Sequence, residues 1–449
     1  MKRHSFWLYA NFFYKVLGVP KPSRVKINEM KTKAVRIYGK NDLRLEEFDL
    51  PEMKDDEIYA EVISDSICMS SHKATLQGSD HKRIPDDVHI NPTIIGHEFS
   101  GIIKSVGKKW QQQFKAGDKF SIQPAMNYKG SLDAPGYSFR WIGGDATNVL
   151  IPGSVMEMEC LLPFNGKEFF LASLAEPMSC VIGAFHANYH TRSGSYVHEM
   201  GIKEGGNLAI LAGVGPMGLA AIDYTLHCDR KPGLMVVTDI DQIRLDRAAK
   251  LHSPEEAASE GIKLIYVNTS NSATAVQELK SLTGGAGYDD VFVFAPVKPV
   301  VEQADQILGF DGCLNFFAGP SNPEFKAEFN FYNVHYAFTH IVGTSGGNTD
   351  DMCEALQLMA DGRINPAGMI THIGGLDAVI ETTRHLPEIP GGKKLIYTHK
   401  KFPLVALDHL SANSNDFPFM AELDKIVKAN EGLWSLEAEM YLMENAPEI

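Results

Sequence analysis

The hydrophobic and polar positions of this chain follow two different patterns. In the first quarter, short runs of β-branched and aromatic residues alternate with turn residues, which is typical of β-strands. From residue 207 onward, short apolar runs alternate with segments of helical spacing. This second pattern predicts βαβ units and a doubly wound parallel sheet. We therefore expect an α/β protein with a β-rich lobe and a separate parallel-sheet lobe.

The predicted elements can be given by position. Strands are expected in the β-rich lobe at residues 34–38, 58–63, 102–106 and 119–122, and in the parallel-sheet lobe at 207–212, 234–238, 263–267, 290–294, 313–317 and 340–343. Apolar residues have helical spacing at 169–189 and 419–430, whereas residues 126–146 are rich in Gly, Pro, Asn and Asp and predict an irregular loop. Residues 346–398 are expected to return to the β-rich lobe and complete it.

Composition narrows the class of protein. With 449 residues, of which 44% are hydrophobic and 22% charged, the chain is long enough for two or three domains. Its formal net charge of −14 disfavours nucleic acid and anionic membranes as partners. The chain lacks the run of about 18 apolar residues that a membrane span needs. Its six cysteines form no C-x-x-C pair, which favours a reducing, cytoplasmic location over a secreted disulfide framework.

The first residues need a separate interpretation. Lys2 and Arg3 precede an apolar run that resembles a signal peptide, but Asn11 and Lys15 interrupt this run and no small-residue cleavage site follows it. We therefore interpret residues 1–31 as an extension ahead of the first lobe.

The candidate chemistry of the β-rich lobe centres on the stretch G-H-E-F-S-G, which begins at Gly96 and carries His97 and Glu98. Cys68 lies upstream of it and Glu176 downstream. Taken alone, a cysteine or a histidine is more often a packed core residue than a metal ligand. Thiolate, imidazole and carboxylate donors from separate segments together suit a catalytic Zn²⁺ with three protein ligands and one open position. Both glutamates are candidates for the carboxylate ligand.

A glycine-rich turn opens the parallel-sheet lobe. It has the pattern G-x-G-x-x-G between an apolar strand and a helix, so its backbone and the helix N-terminus suit a dinucleotide pyrophosphate. Asp239 directly follows the next predicted strand, where a carboxylate binds the ribose hydroxyls of NAD and repels the 2′-phosphate of NADP. Arg244 can offset that repulsion, and Asp239 also fits an ordinary turn. The candidate cofactor-binding residues are Gly213, Gly215, Pro216, Met217, Gly218, Asp239 and Arg244.

These motifs resemble those of one enzyme family. The signature G-H-E-x-x-G, followed by five residues and another glycine, is matched at every fixed position. With the glycine turn, the chain resembles the zinc-containing medium-chain dehydrogenase/reductase family over roughly residues 32–400. The resemblance implies a GroES-like β-rich catalytic domain and a Rossmann dinucleotide-binding domain. The expected divisions are an N-terminal extension (1–31), the catalytic domain (32–190), the Rossmann domain (191–345), a return segment that completes the catalytic domain (346–400) and a C-terminal helical tail (401–449).

The resemblance also implies roles for single residues. A zinc ion acts as a Lewis acid on the substrate oxygen, a serine hydroxyl contacts that oxygen, and hydride passes directly between substrate and nicotinamide. A proton relay begins at the serine and extends to a nearby histidine. The implied metal residues are Cys68, His97, Glu98 and Glu176, and the implied catalytic residues are Ser70, His72 and Glu98.

Two departures from the family pattern change these expectations. The residue three positions after the cysteine ligand is usually an aspartate that orients the ligands, but here it is Ser71, so a different set of supporting groups is expected. Many members also bind a structural zinc through four closely spaced cysteines, whereas residues 117–155 contain no cysteine. We therefore expect one catalytic Zn²⁺ and no structural zinc.

Within the family, the chain looks most like the L-sorbose 1-phosphate reductases, which reduce L-sorbose 1-phosphate to D-glucitol 6-phosphate. The likeness rests on segment 130–137, the missing structural-zinc cysteines and the E-P-M-S segment that begins at Glu176. It implies a small sugar-phosphate substrate and a homodimer or homotetramer. From Asp239 we expect NAD(H) to be the preferred cofactor, with NADP(H) as the alternative because of Arg244.

A small basic cluster near Cys68 is the candidate phosphate site. Lys73, Lys82 and Arg83 suit an anion near the substrate entrance, although such a run is also typical of a solvated loop. Arg140 and His186 are further candidates that the sequence cannot place. Two other functions stay open. One is a zinc polyol dehydrogenase that acts on unphosphorylated sugar alcohols, and the other is a non-catalytic dinucleotide-binding redox sensor.

Overall fold

The computed structural model describes residues 30–192, 194–270 and 273–449. Of the expected N-terminal extension, residues 1–29 lie outside this part of the chain. The strands in the described part are β1 Lys31–Gly39, β2 Asp42–Asp49, β3 Ile58–Ile67, β4 Thr93–Ile94, β5 Phe99–Val106, β6 Lys119–Ile122, β7 Asn148–Ile151, β8 Leu161–Pro163, β9 Tyr189–Thr191, β10 His198–Met200, β11 Asn207–Leu211, β12 Leu234–Asp239, β13 Lys263–Asn268, β14 Tyr288–Val293, β15 Leu308–Phe316, β16 His340–Val342, β17 Ile370–Gly375, β18 Lys393–Tyr397 and β19 Val405–Ala406.

The α-helices cover both lobes and the C-terminal residues. They are α1 Met69–Gln77, α2 Gly153–Glu157, α3 Phe169–Ser173, α4 Ala175–Ala187, α5 Pro216–His227, α6 Gln242–Leu251, α7 Pro254–Ser259, α8 Ala275–Leu282, α9 Lys298–Ile307, α10 Phe331–Tyr336, α11 Thr349–Ala360, α12 Val379–Arg384, α13 Met420–Ala429 and α14 Leu436–Asn445. None of these helices combines the length and apolarity that a membrane span requires.

Each strand predicted from the sequence is present, with shifted ends, which confirms the period of the apolar pattern. The predicted helix at 169–189 is two helices, α3 and α4, which meet at Leu174. A second tail helix, α14, was not predicted. Ser435 caps it by accepting a hydrogen bond from the Ala438 backbone nitrogen. The sequence carried this capping signal, but the apolar spacing of α14 is weak.

The β-rich lobe is built on an eight-stranded sheet. Its strand order is β19-β17-β18-β3-β5-β6-β8, and β7 also pairs with β3. Strands β17 and β18 come from residues after the parallel-sheet lobe, and β18 pairs antiparallel with β3. Strands β17 and β18 therefore form one side of the sheet that also contains β3, β5 and β6. A separate three-stranded sheet of order β2-β1-β4 covers the same lobe.

The second lobe is a six-stranded parallel sheet of order β13-β12-β11-β14-β15-β16. Counted within the lobe, this is the order 3-2-1-4-5-6 of a Rossmann fold. The order reverses between β11 and β14, and ligands of such sheets bind at the carboxyl ends of the strands at this point. The fold is thus α/β, with a GroES-like β-rich domain and a Rossmann domain.

The C-terminal residues pack into the body of the protein. One hydrophobic cluster contains Ile210 of β11, Leu395 of β18 and Leu423 of α13. The Trp434 indole nitrogen donates a hydrogen bond to the Tyr397 hydroxyl at 2.7 Å. The segment after residue 400 therefore shares a core with both sheets. The five chain divisions predicted from the sequence remain predictions.

Candidate metal and cofactor site

Three potential metal donors converge at one end of the β3–β5 pair. Cys68 follows β3 and precedes α1, while His97 and Glu98 directly precede β5. Because β3 and β5 run antiparallel, with Asp65 opposite Phe99, the end of one strand meets the start of the other. Ligand atoms of Cys68, His97 and Glu98 all lie within 4.8 Å of one another. A thiol, an imidazole and a carboxylate at this spacing fit a zinc ion.

Close backbone packing fixes the position of His97. Gly96 has a φ of +90°, and a Cβ atom there would lie 2.6 Å from the Asp145 backbone nitrogen. A Cβ atom at Gly136 would lie 2.0 Å from the Gly96 carbonyl oxygen. Glycine at both positions lets the loop around Gly136 pack directly against the segment that carries His97.

Burial affects the two neutral donors in opposite directions. It lowers the pKa of His97 to about 4, so the imidazole is neutral near pH 7, which is the form that binds metals. Burial, followed by the nearby Glu98 carboxylate, raises the pKa of the Cys68 thiol to about 12. A divalent cation between these donors would stabilise the thiolate, so metal binding at this site is coupled to loss of the Cys68 proton.

Glu98 belongs to a buried ion pair that the sequence analysis did not identify. Both Glu98 carboxylate oxygens lie 2.6 Å from the Lys393 Nζ, and Ser66 donates a hydrogen bond to Oε2 at 2.5 Å. Burial acts to raise the pKa of Glu98, but the Lys393 charge and these hydrogen bonds hold it below its usual value. The only signal in the sequence was a lysine at the start of the apolar strand β18.

Glu176 lies in the first turn of α4, close enough to affect the pKa of Cys68, but it is not part of the group of donors that lie within 4.8 Å of one another. Burial and the neighbouring Glu98 raise the pKa of Glu176 to about 7. Its Oε1 lies 3.7 Å from the Cys180 sulfur one turn along the helix. A thiol is a weak donor, whereas Glu98 is held by an ammonium group. Both glutamates therefore remain candidates for the carboxylate ligand, Glu98 by its distance from the other donors and Glu176 by the weaker contact that its carboxylate makes.

The first residues of α1 contact the donor group. The Ser70 Oγ lies 3.7 Å from the Cys68 sulfur, and the Ser71 Oγ lies 3.2 Å from His97 Nδ1. Ser71, at the position that the family usually fills with aspartate, thus supports His97. His72 Nδ1 lies 2.8 Å from the Thr383 carbonyl oxygen. Since a carbonyl only accepts hydrogen bonds, Nδ1 carries the proton, and Nε2 is the nitrogen left for proton exchange.

Tyr137 is a further site residue that the sequence analysis did not assign. Its hydroxyl lies 3.3 Å from His97 Nε2, and the two ring centroids are 4.8 Å apart. The Ser70 side chain is also a hydrogen-bond partner of Tyr137. The His81 ring stacks on Tyr137 with centroids 5.6 Å apart, and the Arg83 guanidinium carbon lies 5.7 Å from the Tyr137 centroid. An aromatic residue in a Gly- and Pro-rich loop was the one available signal.

The predicted basic cluster separates in the structure. Arg83 packs on Tyr137 and is half-buried, so it reaches the edge of the donor group. Lys82 is exposed, and Lys73 is half-exposed on α1. In the part of the chain that the structure describes, neither lysine has a hydrogen bond or ion pair to the donor group. Arg83 is therefore the best supported of the three phosphate candidates.

Arg140 and His186, the two further candidates for the phosphate site, contact other parts of the protein. The Arg140 guanidinium carbon lies 4.9 Å from the Trp141 ring centroid. His186 is near the far end of α4, and its Nδ1 lies 2.7 Å from an Asp351 carboxylate oxygen. A carboxylate partner repels phosphate, so His186 does not suit an anion site.

The glycine turn lies at the carboxyl end of β11. A Cβ atom at Gly218 would lie 2.2 Å from the Gly213 carbonyl oxygen, so the turn closes only around glycine. Gly215 is the residue before α5, and Pro216 and Met217 are its first two residues. The α5 N-terminus therefore opens at the strand-order reversal, where a pyrophosphate is expected.

Asp239 and Arg244 flank this turn. Asp239 ends β12, and its Oδ1 accepts hydrogen bonds from the Ile240 and Asp241 backbone nitrogens at 2.8 and 3.1 Å. The Arg244 guanidinium donates to the Val214 carbonyl oxygen at 3.2 Å. The carboxylate and the guanidinium thus lie on neighbouring elements beside the glycine turn, as their spacing in the sequence had indicated.

Two family models match this chain. The alcohol dehydrogenase GroES-like domain matches residues 54–157, and the zinc-binding dehydrogenase model matches residues 216–361. The chain belongs to the zinc-containing medium-chain dehydrogenase/reductase family, as its motifs had predicted. It is therefore an enzyme, and the alternative of a non-catalytic redox sensor is excluded.

Its relatives place it more narrowly within the family. The chain is 53% identical to the uncharacterized protein YggP of Escherichia coli over 92% of its length and 97% of the relative's. It is 52% identical to mannitol-1-phosphate 5-dehydrogenase of Aliivibrio fischeri over 92% and 98% of the two chains. It is 51% identical to L-sorbose 1-phosphate reductase of Klebsiella pneumoniae over 93% and 98%.

A solved structure supports the fold. 2R,3R-butanediol dehydrogenase from Bacillus subtilis superposes with a TM-score of 0.65 at 21% identity, covering 82% of this chain and 99% of that one. At this identity, the likeness concerns the fold alone.

Proposed function

We propose that the enzyme reduces L-sorbose 1-phosphate to D-glucitol 6-phosphate with NADH, and catalyses the reverse oxidation. The observation that carries this proposal is the position of Arg83, whose guanidinium packs on Tyr137 beside the donor group. A sugar phosphate carries about two negative charges, and a protein of net charge −14 needs a local cation to bind it. The 51% identical L-sorbose 1-phosphate reductase supports the same substrate.

In this proposal, one catalytic zinc is held by Cys68, His97 and a carboxylate. Ser71 bonds His97 Nδ1, which leaves Nε2 for the metal. Glu176 is the carboxylate that completes the set, because Glu98 is already paired with Lys393. Glu98 lies within 4.8 Å of the other donors and balances the charge of the site. We expect no structural zinc in addition.

The nicotinamide cofactor is assigned to the glycine turn. The backbone of Gly213, Gly215 and Gly218 and the α5 N-terminus suit the pyrophosphate, with Pro216 and Met217 in the first turn. Asp239 suits the ribose hydroxyls of NAD(H), which makes NAD(H) the preferred cofactor. Arg244 beside the turn leaves NADP(H) as a second possibility.

The protein groups then have distinct tasks. When bound, zinc supplies a Lewis acid for the substrate oxygen, and NADH supplies the hydride. Ser70, on the open side of Cys68, donates the proton to the oxygen of the ketone being reduced. His72 is the next group of the relay, with Nε2 as the exchanging nitrogen because Nδ1 is bonded to the Thr383 carbonyl. Lys393 holds Glu98 ionised beside the donors.

A second candidate reaction is the oxidation of mannitol 1-phosphate at C5, which the 52% identical relative favours. The two reactions differ in where the phosphate lies. In L-sorbose 1-phosphate, the keto carbon is next to the phosphorylated carbon. In mannitol 1-phosphate, the reacting C5 lies four carbons away from it. A third candidate, oxidation of an unphosphorylated polyol, is favoured by the 25% identical sorbitol dehydrogenase of Bacillus subtilis.

A substrate panel tests these candidates. Initial rates are measured with L-sorbose 1-phosphate, mannitol 1-phosphate, L-sorbose and D-glucitol, each with the matching redox form of NAD. We expect the highest kcat/KM with L-sorbose 1-phosphate. Arg83→Ala should raise KM for this substrate at least tenfold, about 1.4 kcal/mol, with little change for L-sorbose.

Lys82→Ala is the matched control for this variant. It removes the adjacent positive charge, which is exposed, and should change KM less than about twofold. Equal wild-type activity on L-sorbose and its phosphate would refute the phosphate assignment and favour the polyol dehydrogenase. A higher kcat/KM on mannitol 1-phosphate would replace the proposed substrate with the second candidate.

A further inference from the structure

Tyr137 is held rigidly in the site by its backbone. Its carbonyl oxygen accepts a hydrogen bond from the Thr93 hydroxyl at 2.7 Å, and its backbone nitrogen donates to the Ala134 carbonyl at 3.1 Å. The side chain is 5% exposed. The preceding Gly136 packs against the Gly96 carbonyl. The ring is thus fixed by its own loop and by the segment that carries His97.

The hydroxyl of Tyr137 is placed between two groups of the proposed mechanism. It lies 3.3 Å from His97 Nε2 and shares a hydrogen bond with Ser70. Ser71 occupies His97 Nδ1, so a metal uses Nε2. A nitrogen that donates its lone pair to a metal no longer accepts a hydrogen bond. In the metal-loaded enzyme, the buried phenol therefore needs another acceptor, because a buried donor without one is unfavourable.

A sugar substrate offers that acceptor. Its reacting oxygen is contacted by Ser70, and the neighbouring carbon carries a hydroxyl or an ester oxygen within reach of a group that itself bonds Ser70. The Tyr137 ring also packs against Arg83, which binds the phosphate in the proposed function. The ring therefore lies between the donor group and the cation proposed for the phosphate.

We propose that Tyr137 is a substrate-binding residue whose hydroxyl donates a hydrogen bond to an oxygen of the sugar chain beside the reacting carbon. This inference rests on the proposed function for the zinc on His97, the role of Ser70 and the identity of the sugar. The hydrogen bond is made to the carbon chain, and not to the phosphate, so it serves phosphorylated and unphosphorylated sugars alike. Arg83, by contrast, contributes only when a phosphate is present.

Tyr137→Phe tests this inference because it keeps the ring and removes only the hydroxyl. We expect kcat/KM to fall about tenfold or more with both L-sorbose 1-phosphate and L-sorbose, which corresponds to about 1.4 kcal/mol. The Kd of D-glucitol 6-phosphate, measured by calorimetry without turnover, should rise by a similar factor. Zinc content and the Kd of NADH should stay at the wild-type values.

Tyr128→Phe is the matched control, because the Tyr128 hydroxyl bonds Glu157 at 3.1 Å and lies outside the donor group. It should leave all four measurements unchanged. Wild-type kcat/KM and Kd in Tyr137→Phe would overturn the inference, and so would loss of zinc, which would make Tyr137 a support of His97. A fall confined to phosphorylated sugars would also overturn it. Should the wild type accept no sugar phosphate, the proposed function fails, while the effect on L-sorbose still decides the role of Tyr137.

Discussion

Lys393 and Glu98 form an ion pair in a setting where charges are costly. Glu98 is 1% exposed and Lys393 7% exposed. Removing two charges from water costs several kcal/mol each, and only close geometry repays it. Here both carboxylate oxygens contact the ammonium group, and Ser66 adds a hydrogen bond. The pair therefore stabilises the fold only as long as both partners are present, and it sets the charge beside the metal donors.

Lys393→Met is expected to destabilise the protein strongly. It leaves the Glu98 carboxylate buried without its cation, which costs about 3–5 kcal/mol in the free energy of unfolding. Urea denaturation of the metal-free protein measures this loss. Wild-type protein should hold about one zinc ion per chain. The Lys393→Met variant should bind zinc with a different affinity, because its unpaired Glu98 carboxylate then lies among the donors.

Two further variants separate charge from packing. In Lys393→Met combined with Glu98→Gln, no charge is left unpaired, so much of the lost stability should return. Lys394→Met is the matched single variant, because among the described residues the Lys394 ammonium bonds only backbone carbonyls, such as that of Gly392 at 2.7 Å. A Lys393→Met protein as stable as the wild type would show that the pair contributes nothing.

At the level of elements, the turn from β12 to α6 carries the residues that we propose select the cofactor. Asp239 is 8% exposed and ends the strand, while Asp241 caps α6 by accepting a hydrogen bond from the Arg244 backbone nitrogen. Asp239 is thus held by its own turn at the strand end where the ribose of a dinucleotide is expected. A 2′-phosphate at this point brings a like charge to a nearly buried carboxylate.

Asp239→Ser should shift cofactor preference towards NADP(H). We expect the ratio of kcat/KM for NADPH over NADH to rise at least tenfold, about 1.4 kcal/mol, because a repulsive charge is removed and Arg244 remains. Asp241→Ser is the control, since serine keeps the helix cap and the lost carboxylate is exposed. A wild-type preference for NADPH of tenfold or more would instead show that Arg244 dominates the pocket.

At the scale of the whole molecule, one edge of the Rossmann sheet exposes apolar side chains. β16 is the last strand in the sheet order, and within the described chain no strand pairs with its outer side. Ile341 on β16 is 46% exposed. Phe331, Tyr332, Tyr336 and Phe338 nearby are likewise exposed. An apolar edge strand of this kind favours association, which agrees with the predicted homo-oligomer.

Ile341→Lys is expected to weaken the predicted oligomer. A charge on the edge strand opposes pairing with a second copy, so light scattering after size exclusion should show a dimer or tetramer for the wild type and a smaller species for the variant. Ile90→Lys places the same charge at another exposed isoleucine and should leave the mass unchanged. A wild-type monomer would show that the homo-oligomer prediction was wrong.

The sequence alone determined the main strands of the two lobes, one of the two tail helices and the order of the motifs. Strand and helix periods are local properties, so β12 at residues 234–239 and α13 at 420–429 could be read from apolar spacing. The candidate donor His97 and the glycine turn were identified because each belongs to a short motif whose glycines serve nearby backbone contacts. Cys68 has no such motif around it and was identified through the family resemblance.

Tertiary structure decided which residues meet across long stretches of chain. Lys393 reaches Glu98 because β18 pairs with β3, although 295 positions separate the two residues in sequence. Tyr137 lies in the site because Gly136 packs on Gly96. Arg83, and not Lys82, lies beside the donor group because it packs on the ring of Tyr137. Pairing register and close packing are set by the whole fold, and no local pattern of residue types encodes them.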